Sequence, residues 1–542
     1  MASGICTNSP SFSEKVFAWW DYPVFGLLTF LTLLSLLYFL FYWFSFEDHQ
    51  YYPVTFSAMT LLLIFKLSIH QLRWFLLPSM RKPKERPPRS GLKVAVATTF
   101  VRGGEPLEML EETVKALVAM NYPHETWVLD EEDDDQVKAL CLRLGANHFS
   151  RKNLVSYQTE NGIFQARSKH GNYNAWLYEI GFDRYEIIVT FDPDHIPTPA
   201  FLRKVLGHFG DPQVGYVQVA QTYYNQKASF ISRGAAEETY SYYSCTQMAS
   251  YAYGYPVVTG CHTSHRVKAL REVGGLAPHD GDDLLITLFY RSCGWKGVYV
   301  PEVLARGLTP VDWNGYLTQQ LRWARSVLDI KFRYYLRLAG NLSLTERVVS
   351  LLHGLGYVEM GITTFIGLIL TVSMLVTGIT PRVVSGATAL RLAGLCAVLQ
   401  LCAFYRQRFY LDRRSERGLH WRAGLLKFAK WPFLLMALLD AIMGRRVPYA
   451  LTRKVVGKPR RSMLFWPHMM VAVLIFAAWL WGIFFGHIAN PLLYVIPMAI
   501  VAGSLGIILT EQVHFSDPYR SGLSPSFPSS SILGSAKGAP LP

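Results

Sequence analysis

The chain has little acid, no cysteine pairing of a recognisable kind and no internal repeat. Its 39 Asp and Glu stand against 53 Lys and Arg, and charged residues make up only 17% of 542. With 51% hydrophobic and 14% aromatic residues, this composition excludes a disordered or solvating chain. The seven cysteines lie scattered, without Cys-x-x-Cys or another metal-ligand spacing. A zinc module and a disulfide framework are excluded on that ground, and reduced thiols are expected. The first apolar run is too long for a cleavable signal and reads as a retained span. A net charge of +14 is compatible with nucleic acid. However, the basic residues crowd beside apolar runs, so the charge is read as membrane orientation and no nucleic-acid partner is expected.

What the chain does have is apolar residues blocked into long runs, as in a polytopic membrane protein with a globular domain. Residues 1–90 read as a polar tail, two spans at 23–46 and 54–77, and a proline-rich basic linker. Lys66 and His70, inside the second run, are expected to snorkel to the interface. Arg81, Lys82, Lys84, Arg86 and Arg89 in the linker predict a cytoplasmic domain after it, in a multi-pass protein of the inner cell membrane. Residues 337–511 resume with spans at 351–377, 383–404, 463–485 and 491–509, so the lipid bilayer is the first expected partner. The apolar stretch 424–443 has strongly basic flanks on both sides. A span there would leave one flank outside, so it reads as an amphipathic interfacial helix on the cytoplasmic face. The Ser-, Pro- and Gly-rich stretch 512–542 is expected to be a disordered cytosolic tail.

Residues 91–336 read as a soluble α/β domain. Runs at 94–99, 127–129, 187–191 and 214–220 have strand character, and 107–120 has helical periodicity. Alternating strands and helices predict a mainly parallel sheet, with ligands beyond the carboxyl ends of its strands. Aspartates occur at those ends.

Asp192-Pro193-Asp194-His195 closes the 187–191 run. A lone Asp-x-Asp is commonly a solvated turn, but behind an apolar strand the two carboxylates are placed to share a divalent ion, for which oxygen ligands favour Mg²⁺ or Mn²⁺. Asp130 ends another strand and is placed to meet a nucleotide base or ribose. Lys169, in Ser168-Lys169-His170-Gly171-Asn172, supplies a cation for the same pocket or simply precedes a helix. Gly281-Asp282-Asp283 precedes an apolar helix, so the dipole should hold a carboxylate there ionised: Asp282 as cap and Asp283 as general base. Gln319, Arg322 and Trp323 fall at i, i+3 and i+4 and share one helix face. An amide, a guanidinium fork and an indole suit a phosphate and a sugar ring better than a packed core.

The ordered set Asp130, Asp192-x-Asp194, Asp283 and Gln319-x-x-Arg322-Trp323 resembles processive family 2 glycosyltransferases, notably the catalytic subunit of bacterial cellulose synthase. The likeness runs from about Val94 to Lys458 and includes Arg271-Glu272-Val273-Gly274-Gly275 and Gly294-Trp295-Lys296. Tyr449-Ala450-Leu451-Thr452-Arg453-Lys454 is similar to that family's Phe-x-Val-Thr-x-Lys gating loop, placed here at 449–458. The resemblance implies a GT-A domain feeding a transmembrane channel. It assigns Asp130 and Lys169 to uridine, and Asp192, Asp194 and His195 to the metal-diphosphate. Asp283 becomes the base, Gln319 and Arg322 hold diphosphate or acceptor, Trp323 stacks on the terminal sugar, and Thr452 and Lys454 reach over bound nucleotide.

This chain departs from the family in several places. Glu131 follows Asp130 where the family has Asp-Gly, and Gly281-Asp282-Asp283 replaces Thr-Glu-Asp. Gly260-Cys261-His262-Thr263 stands where small apolar residues are usual. The stretch after Glu511 is too short for a cyclic-di-GMP-binding domain, and two spans precede the domain. The expected function is inverting transfer from a UDP-sugar, UDP-glucose first, to a growing β-linked glycan, with other donors open and an accessory export subunit admitted. The alternatives are a non-processive transferase acting on a lipid acceptor, and a channel or nucleotide-sensing scaffold with a relict domain.

Overall fold

The structure, a computed structural model, describes residues 12–445, 464–488 and 490–510. The 449–458 stretch with Thr452 and Lys454, and the 512–542 tail, lie outside these residues. Two long helices come first, α1 (Asp21–Trp43) and α2 (Pro53–Phe75). The α/β domain follows, with strands β1 (Val94–Phe100), β2 (Glu125–Asp130), β3 (Asn147–Phe149), β4 (Ile187–Phe191), β5 (Val214–Val219), β6 (Thr263–Arg266) and β7 (Lys296–Val300). Its helices include α3 (Leu107–Val118), α4 (Lys169–Trp176), α5 (Phe230–Ser241), α6 (Asp282–Ser292) and α7 (Trp313–Asp329). After it come α8 (Leu344–Leu352), α9 (Leu355–Thr377), α10 (Gly386–Arg406), α11 (Trp421–Met443), α12 (Trp466–Phe484) and α13 (Leu492–Thr510).

The seven strands form one sheet in the order β7-β5-β6-β4-β1-β2-β3. All its pairings are parallel except those of β6, which runs antiparallel to both β4 and β5. The mainly parallel sheet expected from the sequence is therefore present. The sequence did not mark β3, β6 or β7; in β6, Thr-Ser-His-Arg has no apolar alternation. Alternation along β1 divides the core: Val94 and Val96 pack on one face with Trp74 and Leu77, whereas Ala95 and Ala97 pack on the other with Trp176 and Tyr290. The first face thus joins the sheet to the end of α2.

Six helices among the described residues are long and apolar enough to cross a membrane: α1, α2, α9, α10, α12 and α13. α11 is not one of them, and it carries Arg422, Lys427, Lys430 and Asp440. Its apolar residues Leu434, Ala437, Leu438 and Ala441 pack on Ala324 and Leu328 of α7. Leu426 and Ala429 pack on Ile231 of α5 and Leu317 of α7. Arg325 of α7 also pairs with Asp440 at 2.6 Å. Burial of this stripe holds α7 between the domain and the apolar helices.

Two basic residues on the apolar helices find partners on neighbouring helices. Lys66, whose side chain is exposed, pairs with Glu359 of α9 at 3.2 Å. Arg391 of α10 stacks on Tyr42 of α1, 3.8 Å from the ring centroid.

Candidate active site

Asp192, Asp194, Asp282 and Asp283 meet at one cavity of about 940 Å³ beyond the carboxyl ends of the strands. Asp192 leaves β4 half-buried, with Oδ1 2.5 Å from the Lys169 ammonium. Lys169 opens α4, whose start is fixed by Ser168 accepting from the Gly171 N–H at 3.0 Å. The ammonium also donates to the Gly260 carbonyl at 2.8 Å. Burial works against this charge, but Asp192 and then Asp282 outweigh it and hold the Lys169 pKa well above its ordinary value.

Asp194 is buried, with Oδ1 bonded by His195 Nδ1 at 3.0 Å and Oδ2 accepting from the Leu308 N–H at 3.3 Å. The backbone of Gly307 lies so close to the His195 ring that a Cβ there would fall inside it. Ligand atoms of Asp192, Asp194 and His195 all lie within 4.8 Å of one another. Two carboxylates and an imidazole, one carboxylate half-open to the cavity, fit a hard divalent cation of the Mg²⁺ or Mn²⁺ type.

Asp283 stands in the first turn of α6, where Oδ1 accepts the Leu284 N–H at 2.8 Å. The expectation of an ionised carboxylate held by the helix dipole is corrected here. Burial, and then the charge of Asp282, push the Asp283 pKa up to about 7, against the opposing pull of Lys169 and Arg322. A first-turn dipole contributes less than the loss of water. Asp282 Oδ1 accepts the Asp283 N–H at 3.0 Å, so it does take one free donor of the helix start. Above Asp283, Gly260 has φ +81°, and a Cβ there would lie 3.0 Å from Asp283 Oδ2.

Helix α7 is entered through Asp312, which caps it by accepting from the Gly315 N–H at 2.7 Å. Gln319, Arg322 and Trp323 are half-buried and line the cavity together, as their spacing predicts. Gln320, one residue round the helix, is buried and accepts from Lys430 of α11 at 2.8 Å.

Asp130 is placed differently from expectation. It is wholly buried and does not line the cavity. Its carboxylate accepts the N–H groups of Glu132 at 3.0 Å and Asp134 at 2.6 Å, and faces His148 Nε2 at 3.2 Å. It therefore shapes the turn that carries Glu131 and Glu132 to the cavity wall. The cause is local: two free N–H groups of the turn are closer than any ligand, and a carboxylate satisfies both.

Sequence reasoning missed other contributors. Arg151 is fully buried, pairs with Glu131 at 2.8 Å and donates to the carbonyls of Tyr157 and Gln165, tying the segment before Lys169 to the Asp130 turn. No local pattern marks it. Glu238 of α5 and Lys430 of α11, 2.9 Å apart, also line the cavity. Their opposite charges at a domain–helix interface were visible only as isolated residues.

The sheet gives a GT-A-like fold set between helices apolar enough to span a membrane. Residues 93–326 match the model described as glycosyltransferase like family 2. The UDP-forming cellulose synthase catalytic subunit of Xanthomonas axonopodis pv. citri is 27% identical over 297 residues, covering 53% of this chain and 38% of the relative. That of Pseudomonas fluorescens is 26% identical over 235 residues, 42% of this chain and 30% of the relative. A solved mannosyltransferase from Pyrobaculum calidifontis, in complex with GDP-Man and Mn²⁺, covers 72% of this chain and 99% of its own at 17% identity and a TM-score of 0.49. The chain carries a family 2-like glycosyltransferase domain and resembles the bacterial cellulose synthase catalytic subunit. It spans less than two-fifths of the length of these curated relatives.

Proposed function

We propose that the chain is an inverting, membrane-embedded glycosyltransferase that polymerises a sugar from a UDP-sugar into a β-linked polysaccharide and passes the product through its own channel. UDP-glucose is the first donor to test. The observation that carries this reading is the continuity of the cavity. One cavity is lined by Lys169, Asp192 and Asp283, by Trp323, and by Arg73 of α2 and Glu359 of α9. Donor chemistry and a path toward the apolar helices thus share one enclosure. The basic linker supports a cytoplasmic domain in the inner cell membrane.

In this reading Asp192, Asp194 and His195 hold the divalent ion, which would neutralise charge on the departing UDP. Asp283 accepts the proton of the acceptor hydroxyl as its oxygen attacks the anomeric carbon. The bond to the UDP oxygen breaks, and its electron pair leaves with UDP. A carboxylate titrating near 7 is matched to that task near neutral pH. Lys169 and Arg322 face the same developing negative charge from a preorganised wall. Gln319 and Trp323 orient the acceptor so that attack is effectively intramolecular. Asp130 shapes the nucleotide side through its turn.

The test is to purify the chain into nanodiscs, supply labelled UDP-sugars singly with Mn²⁺ or Mg²⁺, and size the product. A long polymer from one donor is expected. A single sugar on lipid overturns processive synthesis, and absence of any UDP-sugar turnover or UDP binding overturns the transferase reading.

A further inference from the structure

The half of the cavity nearest the apolar helices is basic in a way that a neutral glucan does not require. Lys66, His70 and Arg73 lie at i, i+4 and i+7, on one face of α2, and all line it. Lys427 and Lys430, at i and i+3 on α11, line it from another side. Two carboxylates answer them. Glu359 takes Lys66 at 3.2 Å, and Glu238 takes Lys430 at 2.9 Å. Among the described residues Arg73 and Lys427 have no carboxylate within 4.0 Å.

These two cations also stand close to others of the same sign. Burial first, then the charges of Arg73, Lys430 and Arg406 against the single opposing Glu238, push the Lys427 pKa down to about 8. Arg406 comes from the end of α10, and its Nε is buried without a hydrogen-bond partner among the described residues. Arg73 and Lys427 thus line one cavity with Lys66 and Lys430, four cations from two helices with the carboxylates of Glu238 and Glu359 among them. Like charges gathered on one cavity wall repel one another, and an anion placed between them removes that cost. A site of this kind recognises phosphate or carboxylate oxygens, with the arginine fork as the directional element. Trp323 and Asp283 line the same cavity.

We propose that Arg73 and Lys427 form an oxyanion site in the acceptor half of the cavity, so that the acceptor deprotonated by Asp283 carries a phosphate or carboxylate group. This rests on the glycosyltransferase reading above. It narrows the acceptor to a lipid-linked phosphate or an acidic glycan, in place of a neutral glucan. Neutral sugars are bound by stacking and uncharged hydrogen bonds, and they leave both cations uncompensated.

The full chain in neutral phosphatidylcholine nanodiscs, with labelled UDP-sugar and Mn²⁺, is offered three acceptors: a polyprenyl phosphate, a uronic-acid oligosaccharide and a neutral cello-oligosaccharide. One of the two anionic acceptors is expected to give at least tenfold more labelled product than the neutral one, and which of them does so identifies the source of the charge. Arg73→Gln with Lys427→Gln is expected to raise the KM for that acceptor about tenfold or more while the Kd for UDP stays the same. Inorganic phosphate should compete with the same acceptor in the unsubstituted chain, which keeps the test valid if the double variant does not fold. Equal use of neutral and anionic acceptors, with no competition by phosphate, overturns the oxyanion site alone. Failure of the unsubstituted chain to bind UDP overturns the underlying transferase reading.

Discussion

The Lys169 ammonium lies 2.5 Å from Asp192 Oδ1 and 2.8 Å from the Gly260 carbonyl. One cation therefore ties the end of β4 to the loop above Asp283, at the position where a divalent ion would need the Asp192 carboxylate. Lys169→Met removes a competitor for that carboxylate. A charge-assisted hydrogen bond contributes about 1.5–3 kcal/mol, so Mn²⁺ affinity without nucleotide should rise roughly tenfold. Turnover should fall, because the diphosphate loses a facing cation. Mn²⁺ titration followed by electron paramagnetic resonance reads the first effect, and weaker Mn²⁺ binding in the variant would contradict the competition.

Asp283→Asn should reduce transfer by about 100- to 10,000-fold, the usual share of a general base, while UDP binding persists. The unsubstituted enzyme should gain activity as pH rises through about 7, since the base acts deprotonated. Stability has the opposite sign. The folded-state pKa is raised, so the native state binds the proton more tightly than the unfolded chain, and stability falls as pH rises between about 4 and 7. Asp283→Asn should therefore melt higher than the unsubstituted chain at pH 8, by on the order of 1–2 kcal/mol after allowing for partial solvent access. The difference should vanish near pH 4. Melting curves at the two pH values decide it.

Gly260→Ala tests the close approach over the base. The backbone there has φ +81°, which costs a residue with a Cβ roughly 1–2 kcal/mol. The new methyl would also meet Asp283 Oδ2 at 3.0 Å. Turnover should drop by about tenfold or more through displacement of that carboxylate. A kcat equal to that of the unsubstituted chain, in a folded variant, would show that Asp283 has room to adjust.

Arg291, on the helix that carries Asp283, forms a buried ion pair with Glu346 of α8. Glu346 also accepts the Ser343 N–H at 2.9 Å, closing the start of α8. Arg291→Ala leaves a buried carboxylate unpaired and should cost about 3–5 kcal/mol. Arg291→Met with Glu346→Met should recover most of that loss, because an apolar pair has no charge to desolvate. Denaturant midpoints of the single and double variants measure both.

The legible parts of this chain were those written locally. Ile187–Phe191 reads as a buried parallel strand from its unbroken apolar run, and the Asp192 motif then falls at the carboxyl end where such sheets bind ligands. Gln319, Arg322 and Trp323 share a face because helical spacing requires it. Strand β6 was not legible: Thr263, Ser264 and His265 are buried, yet their sequence is polar, and pairing with β4 and β5 on both sides is what makes them a strand.

For Asp130 the sequence placed the residue at a strand end but not the direction in which its carboxylate points. Competition between turn N–H groups and a ligand is settled by distances that no local pattern encodes. Asp283 shows the same limit in its ionisation. Its position at a helix start was readable, whereas its titration near 7 depends on burial by distant segments and on the neighbouring Asp282.

The sequence by itself determined the six apolar helices, the mainly parallel α/β domain between them and the residues facing one another across a turn of helix, because periodicity and run length act over a few residues. Tertiary structure alone decided that Asp130 supports a turn, that Lys66 pairs with Glu359, and that Arg73 and Lys427 meet at one cavity wall. Desolvation and the sum of charges depend on which distant segments come together, and that is a property of the folded chain.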